Sequence, residues 1–250
     1  MHISLAAEKI IHAGPIEITN TMLVTWIAMA LLIIVGVLAG RKAKERPGKL
    51  QNFFEFIIDA ILNMIDNITL DRRKAIRFLP IVATLFIFII TANWMGLIPG
   101  FESIGRWEMI DGHKALIPYL RPPAADLNTT FALAVVAIVA VQLFGVMSLG
   151  IGYFKKFFDF RGPIEFFVGI LEIISEFARI ISFAFRLFGN VFAGGVLLMV
   201  ISFLIPVFAA LPFYGLELFV GFVQALVFAM LTTVFLQMAT LGHGEEHAEN

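Results

Sequence analysis

Four stretches of this 250-residue chain run for about twenty residues or more without a charged side chain: Thr21 to Gly40, Phe78 to Ile98, Thr129 to Gly152 and Leu187 to Leu216. A helix of ~20 apolar residues is long enough to cross the hydrocarbon of a bilayer, so each run reads as membrane-spanning. Composition agrees, because with 60% hydrophobic and 15% charged residues and a mean hydropathy of +0.92 there is too little polar surface for a water-soluble globule. The first run follows about twenty mixed residues without a basic stretch or a small-residue cleavage site. No removable signal peptide is therefore expected, and the mature chain is expected to begin at Met1. The chain has no cysteine, which removes disulfides, thiolate metal sites and cysteine nucleophiles from consideration.

Basic residues set the expected topology. Of 18 Lys and Arg, five lie in Arg41 to Lys49, four in Arg72 to Arg77 and three in Lys155 to Arg161. Short basic loops stay cytoplasmic, so these three segments mark the inside. The stretch from Pro99 to Leu127, with three basic and four acidic residues among scattered Gly and Pro, belongs outside. Residues 51–70 sit between two inside segments and carry Glu55, Asp59, Asn63 and Asp66 at helical spacing, which predicts an amphipathic helix lying at the cytoplasmic interface. The N-terminus then falls outside and the C-terminus inside.

The two last apolar stretches, 163–200 and 201–241, are each over ~50 Å long as helices against a hydrocarbon core of ~30 Å. Such lengths demand tilt, a kink or a break. Pro206 and Pro212 mark a turn between them. The expected fold is thus an all-α integral membrane protein, one membrane domain over residues 1–250. It has an external N-terminus (1–20), spans at 21–40, 78–98 and 129–152, an interfacial helix at 51–70 and an external loop at 99–127. A strongly tilted hairpin (163–200 and 201–241) and a cytoplasmic tail (242–250) complete it.

On the first long helix Glu172, Ser175, Glu176, Arg179, Ser182, Arg186 and Asn190 fall within an arc of about 120° at ~100° per residue. A charge at the bilayer centre costs from ~2.5 to well over 10 kcal/mol, so the stripe faces water, a polar partner or both. Glu172, Glu176 and Arg179 lie close to the basic loop, where snorkelling to the headgroups or mutual pairing explains them without a functional role. Arg186 is different: thirty uncharged residues follow it and no acidic residue lies three or four positions away. An intramembrane arginine without a local partner is a functional candidate.

On the second long helix Glu217 and Gln224 are seven apart and share a face that a hairpin can bring against Asn190. Gln224 fits equally an interhelical hydrogen bond that only holds the hairpin. A carboxylate among apolar neighbours, as at Glu217, is protonatable near neutral pH, which a proton relay requires. Asp126 and Asn128 read as an N-cap for the third spanning helix, and an outer-mouth carboxylate at Asp126 can also gather protons. Asn93 to Gly100 reads as a helix end with an interfacial tryptophan, with no chemistry required.

The run Ser182-Phe183-Ala184-Phe185-Arg186-Leu187-Phe188-Gly189-Asn190 resembles the S-x-x-x-R-L-F-G-N signature of the a subunit of F-type ATP synthases. Asn93 to Pro99 is similar to that family's N-x-x-G-L-x-P, and Ala125 to Asn128 to its A-D-[LV]-N. Glu172, fourteen residues before Arg186, and Gln224 also stand where the family has them. Many members carry a glutamate nine residues after the arginine and a histidine seven before the glutamine; here those positions are Gly195 and Glu217. In an antiparallel hairpin the two sites become neighbours, so the relay carboxylate is expected to have moved from one helix to its partner.

The resemblance implies a non-catalytic stator subunit of a rotary motor, working against a ring of c subunits and joined to a b-subunit peripheral stalk and other synthase subunits. It implies no cofactor, no metal and no bound nucleic acid; the absence of a transit peptide fits a bacterial plasma membrane, and an organelle-encoded chain would lack one as well. Protons would enter from outside past Asp126, Glu217, Asn190 and Gln224, load a ring carboxylate, and leave past Ser182, Ser175 and Glu172. Arg186 would separate the two half-channels, because a guanidinium does not give up its proton to a leak. The chain lacks a Gly-x-x-x-x-Gly-Lys-[Ser/Thr] loop, so nucleotide binding is not expected of it. Coupling to Na⁺ instead of H⁺, a stand-alone transporter or channel, and a structural anchor are the alternatives at this point; H⁺ is preferred.

Overall fold

A computed structural model describes residues 8–13, 16–41, 48–110, 113–157, 162–204 and 210–241. Six α-helices dominate it: α1 (Asn20–Arg41), α2 (Lys49–Thr69), α3 (Arg72–Gly96), α4 (Leu127–Leu149), α5 (Pro163–Leu204) and α6 (Ala210–Thr240). All but α2 are long and apolar enough to cross a membrane. The chain is thus an all-α membrane protein, with two short additions that the sequence did not announce. Segments expected to be irregular contain antiparallel ribbons, β1 (Lys9–Ala13) with β2 (Ile16–Thr19) and β3 (Gly105–Ile110) with β4 (His113–Pro118). A two-stranded ribbon is only marginally stable by itself, so its sequence need not carry the strict alternation that marks a half-buried strand.

Helix α2 presents Ile61, Leu62 and Ile65 to the bundle and leaves Glu55, Asp59 and Asn63 exposed, as expected of an amphipathic helix. It ends at Leu70, whose positive φ of 52° turns the chain, and Asp71 then caps α3 by accepting from the Arg73 and Lys74 N–H groups. Arg72 pairs with Asp66 at 3.3 Å across the corner. Of the segments read as inside loops, 42–47 and 158–161 lie outside the described residues, as does the tail 242–250.

Helix α5 is continuous over 42 residues, about 63 Å at ~1.5 Å per residue, so a ~30 Å core is reconciled with it by tilt and overhang rather than by a break. It runs four residues beyond the expected end at 200. Pro206 lies outside the described residues, but Pro212 sits in the first turn of α6, where the missing N–H has no helical acceptor to lose.

Contacts between α5 and α6 run in opposite chain directions: Arg179 over Phe235, Phe183 against Phe228, Asn190 to Gln224, and Gly194 beside Glu217. The hairpin is therefore antiparallel. Its other face packs on α3 and α4, around buried Phe78, Val82, Ile89, Ala137, Val141, Leu187, Phe228 and Leu236. Two ends of the bundle result. The starts of α1, α4 and α6 and the ends of α3 and α5 gather at one, where Thr21 Oγ donates to Asp126 (3.0 Å). At the other, Gln237 donates to Thr69 O (3.4 Å) and Ser148 to Thr240 O (3.5 Å).

Candidate functional site: a polar track along the hairpin

The site is built on two helix faces. Buried Phe183, Ala184, Leu187, Gly194 and Leu198 fix the rotation of α5, and that rotation leaves Ser182 and Arg186 on the outer surface. Arg186 Nη2 donates to Ser182 Oγ at 3.3 Å. No carboxylate among the described residues pairs with it. Apolar Ile181 and Phe185 flank it on the same exposed face. A guanidinium in such surroundings is ready for an external partner of opposite charge.

One turn further on, Asn190 donates from Nδ2 to Gln224 Oε1 at 2.5 Å. Gln224 is buried, and this bond places it at the wall of a cavity of about 310 Å³. Glu217 and Gly195 line the same cavity. A side chain at Gly194 would fall on the Glu217 carboxylate, so the absence of a Cβ there is what lets Glu217 fit against α5. Gly195 has open space where its Cβ would be. The expected neighbours Gly195 and Glu217 thus share a cavity wall, while Gly194 makes the direct contact.

Asn93 was not read as functional, yet it lines this cavity, and its Nδ2 reaches Gly221 O on α6 at 3.2 Å. Next to it Trp94 Nε1 donates to Leu218 O at 3.1 Å. The signal for Asn93 was available in the N-x-x-G-L-x-P run, since an amide inside a spanning helix needs a partner. Gly96 in that run is required by packing: a Cβ would enter the Pro122 ring.

Asp126 stands apart from the cavity lining. Its Oδ1 accepts from the Asn128 N–H (3.0 Å) and Asn128 Nδ2 (3.3 Å), its Oδ2 from Thr21 Oγ (3.0 Å), and the residue is 5% exposed. Asp126, rather than Asn128, is therefore the N-cap of α4, and it also ties α4 to α1.

At the opposite end of the bundle the remaining stripe residues form a cluster. Glu172 pairs with Lys156 (2.6 Å) and Arg179 (3.6 Å), and Arg179 pairs with Glu176 (2.6 Å) while lying over the Phe235 ring. Ser175 is half-buried on the same helix face. Tyr153, in the 3₁₀ turn Gly150–Lys156, seats its ring against Gly145 and donates to Gln142 at 2.6 Å. Burial, then Glu176, pushes its hydroxyl up to about 12; Arg179 opposes and Glu172 adds to the rise. The neutral phenol is the form the fold favours, so its contribution is complete below pH ~10 and disappears as pH rises from ~10 to ~12. Tyr153→Phe is expected to lower stability by about 1 kcal/mol at neutral pH and to flatten this alkaline loss. Thermal unfolding in detergent between pH about 8 and 12 checks both parts.

The fold and the track define a polytopic helical membrane protein with amide side chains and Glu217 held between its two long helices and Arg186 on the outer face of one of them. The ATP synthase A chain family matches residues 22–237. The chain is 37% identical over 216 residues to ATP synthase subunit a of Geotalea daltonii, covering 85% of this chain and 84% of that one. It is 33% identical over 235 residues to the subunit a of Gloeobacter violaceus (94% and 89% covered) and 34% over 236 residues to that of Moorella thermoacetica (94% and 97%). The chain belongs to the ATP synthase subunit a family, a membrane component of the synthase that functions with the other synthase subunits.

Proposed function

We propose that this chain is the stator half of a proton-driven rotary motor, carrying two offset half-channels that meet a ring of c subunits on either side of Arg186. The observation that carries the reading is the placement of Arg186: outward on α5, held by Ser182 and without a carboxylate partner among the described residues, one turn from a cavity that holds Glu217, Asn190 and Gln224. A ring carboxylate arriving at this face is attracted to the guanidinium and loses its proton there. Proton entry runs through the cavity, past Glu217 and the Asn190–Gln224 pair. Exit runs past Ser182 and Ser175 toward Glu172 at the opposite end.

Asp126, with both carboxylate oxygens engaged in the cap and the α1 contact, serves the entry side as a support. Sidedness follows the basic segments, with the N-terminus outside a bacterial plasma membrane and the C-terminus inside. The chain itself makes and breaks no covalent bond; a b-subunit stalk holds it still, and the membrane potential supplies ~2.3 kcal/mol per charge for each 100 mV. ATP-driven acidification of vesicles containing the whole complex, in buffers free of Na⁺, tests the ion. Full pumping without Na⁺ is expected. Absence of acidification together with ATP-driven ²²Na⁺ uptake once Na⁺ is restored would make the ring a sodium ring and this subunit its sodium path.

A further inference from the structure

The entry cavity has a second carboxylate that comes from the far N-terminal end of the chain. Glu8, immediately before β1, lines the cavity together with Glu217, although some two hundred residues separate them in sequence. Its position is fixed through Asn20, the first residue of α1, which is fully buried. The Glu8 N–H donates to Asn20 Oδ1 (3.3 Å) and the Asn20 N–H donates back to Glu8 O (3.1 Å). Asn20 Nδ2 donates in turn to Pro118 O (3.2 Å) at the end of β4, and Pro118 is itself part of the cavity wall. One buried amide thus holds the N-terminal ribbon, the second ribbon and the start of α1 together, with Glu8 at their junction.

This junction lies beyond the helix ends, at the end of the bundle where α3 stops at Gly96 and α4 starts at Leu127. Glu8, half-buried and with its Oε2 turned inward, therefore stands at the mouth end of the cavity, and Glu217, in the second turn of α6, lies deeper. The other titratable groups lining the cavity are Arg121 and Tyr214. Asp126, the carboxylate whose sequence position suggested a mouth role, is not in the lining.

We propose that Glu8 is the proton-collecting carboxylate of the entry half-channel, passing protons inward to Glu217, and that the N-terminal ribbon serves to hold it there. The proposal rests on the reading of this cavity as the entry route. A carboxylate at a mouth raises the local proton concentration and the rate of capture, an effect that matters most when protons outside are scarce. Arg121, in the same lining, limits this field without replacing the proton-binding group.

The test measures synthesis-driven proton flux by the whole complex in vesicles while outer pH is varied. For Glu8→Gln, flux is expected to fall by about threefold to tenfold at an outer pH of about 8.5, with the deficit closing as outer pH falls to about 6. Glu8→Asp is expected to restore the native profile. A native profile in Glu8→Gln, or a loss of the same size at every outer pH, would overturn the proposal, the latter pointing to a purely structural residue. Glu217→Gln in the same preparation separates the two readings. Loss of flux there with an unaltered Glu8→Gln profile removes Glu8 alone, whereas full flux in Glu217→Gln removes the entry route itself.

Discussion

In Arg186→Ala complexes, ATP-driven proton pumping is expected to fall to background while a gradient-driven leak through the membrane sector persists or grows. Two unit charges 4 Å apart attract by ~4 kcal/mol at an effective dielectric of about 20, and each ~1.4 kcal/mol is a factor of ten in an equilibrium. On the proposed mechanism, an arriving ring carboxylate without the guanidinium loses this inducement to ionise, and nothing would keep a proton in one half-channel from passing to the other. Arg186→Lys is expected to be nearly as damaging, because an ammonium among apolar side chains such as Ile181 and Phe185 can lose its charge where a guanidinium does not. Fluorescence quenching for pumping, and passive flux in vesicles stripped of the catalytic sector, read the two effects separately. Unchanged coupled pumping in Arg186→Ala would return the stripe on α5 to a packing role.

The second large effect is expected at Glu217. Glu217→Gln keeps the shape against Gly194 but removes the titrating group, and driven flux should drop by about tenfold or more. Adding Gly195→Glu to that variant should recover a substantial part of it. Position 195 lines the same cavity and has open space for a side chain. Gly194→Glu should rescue less, since position 194 is buried and a Cβ there would first have to push the side-chain end of residue 217 aside. Flux measured in the three variants therefore asks whether the relay needs a carboxylate in this cavity or one on a particular helix. Failure of Gly195→Glu to rescue would mean that the position on α6 matters in itself.

Much of this arrangement was readable in advance because it rests on periodicity. Glu172 through Asn190 lie on one side of a helix whatever the helix packs against, and the Arg186 signature fixed which part of the stripe to examine. The Asn190–Gln224 contact followed from the antiparallel hairpin. Elsewhere the outcome depended on acceptors and distances that spacing does not carry. Asp126 could equally open to water or cap a helix, and the hydroxyl of Thr21, more than a hundred residues earlier, is part of what occupies it. Glu8 gave no signal, since its place at the cavity depends on the fold of Asn20 and Pro118. The ribbons were hidden because a two-stranded ribbon lying over helix ends has no inner face to keep apolar.

The position of Arg186 between two grips has a mechanical meaning. Seven residues before it, Arg179 lies over Phe235 of α6; four after it, Asn190 is tied to Gln224 of the same helix. Between these two points Phe183, Ala184 and Leu187 are buried as well, so the roughly 16 Å of helix around Arg186 is backed along its length. A rod fixed on both sides of the point where it is pushed bends far less than one fixed on a single side. A ring dragging on Arg186 would meet a stiff beam, and the load would pass through α6 to α3 by way of the bonds from Asn93 and Trp94 to α6 carbonyls. Little elastic energy would then be stored in α5 itself, leaving compliance to the parts of the machine outside this chain.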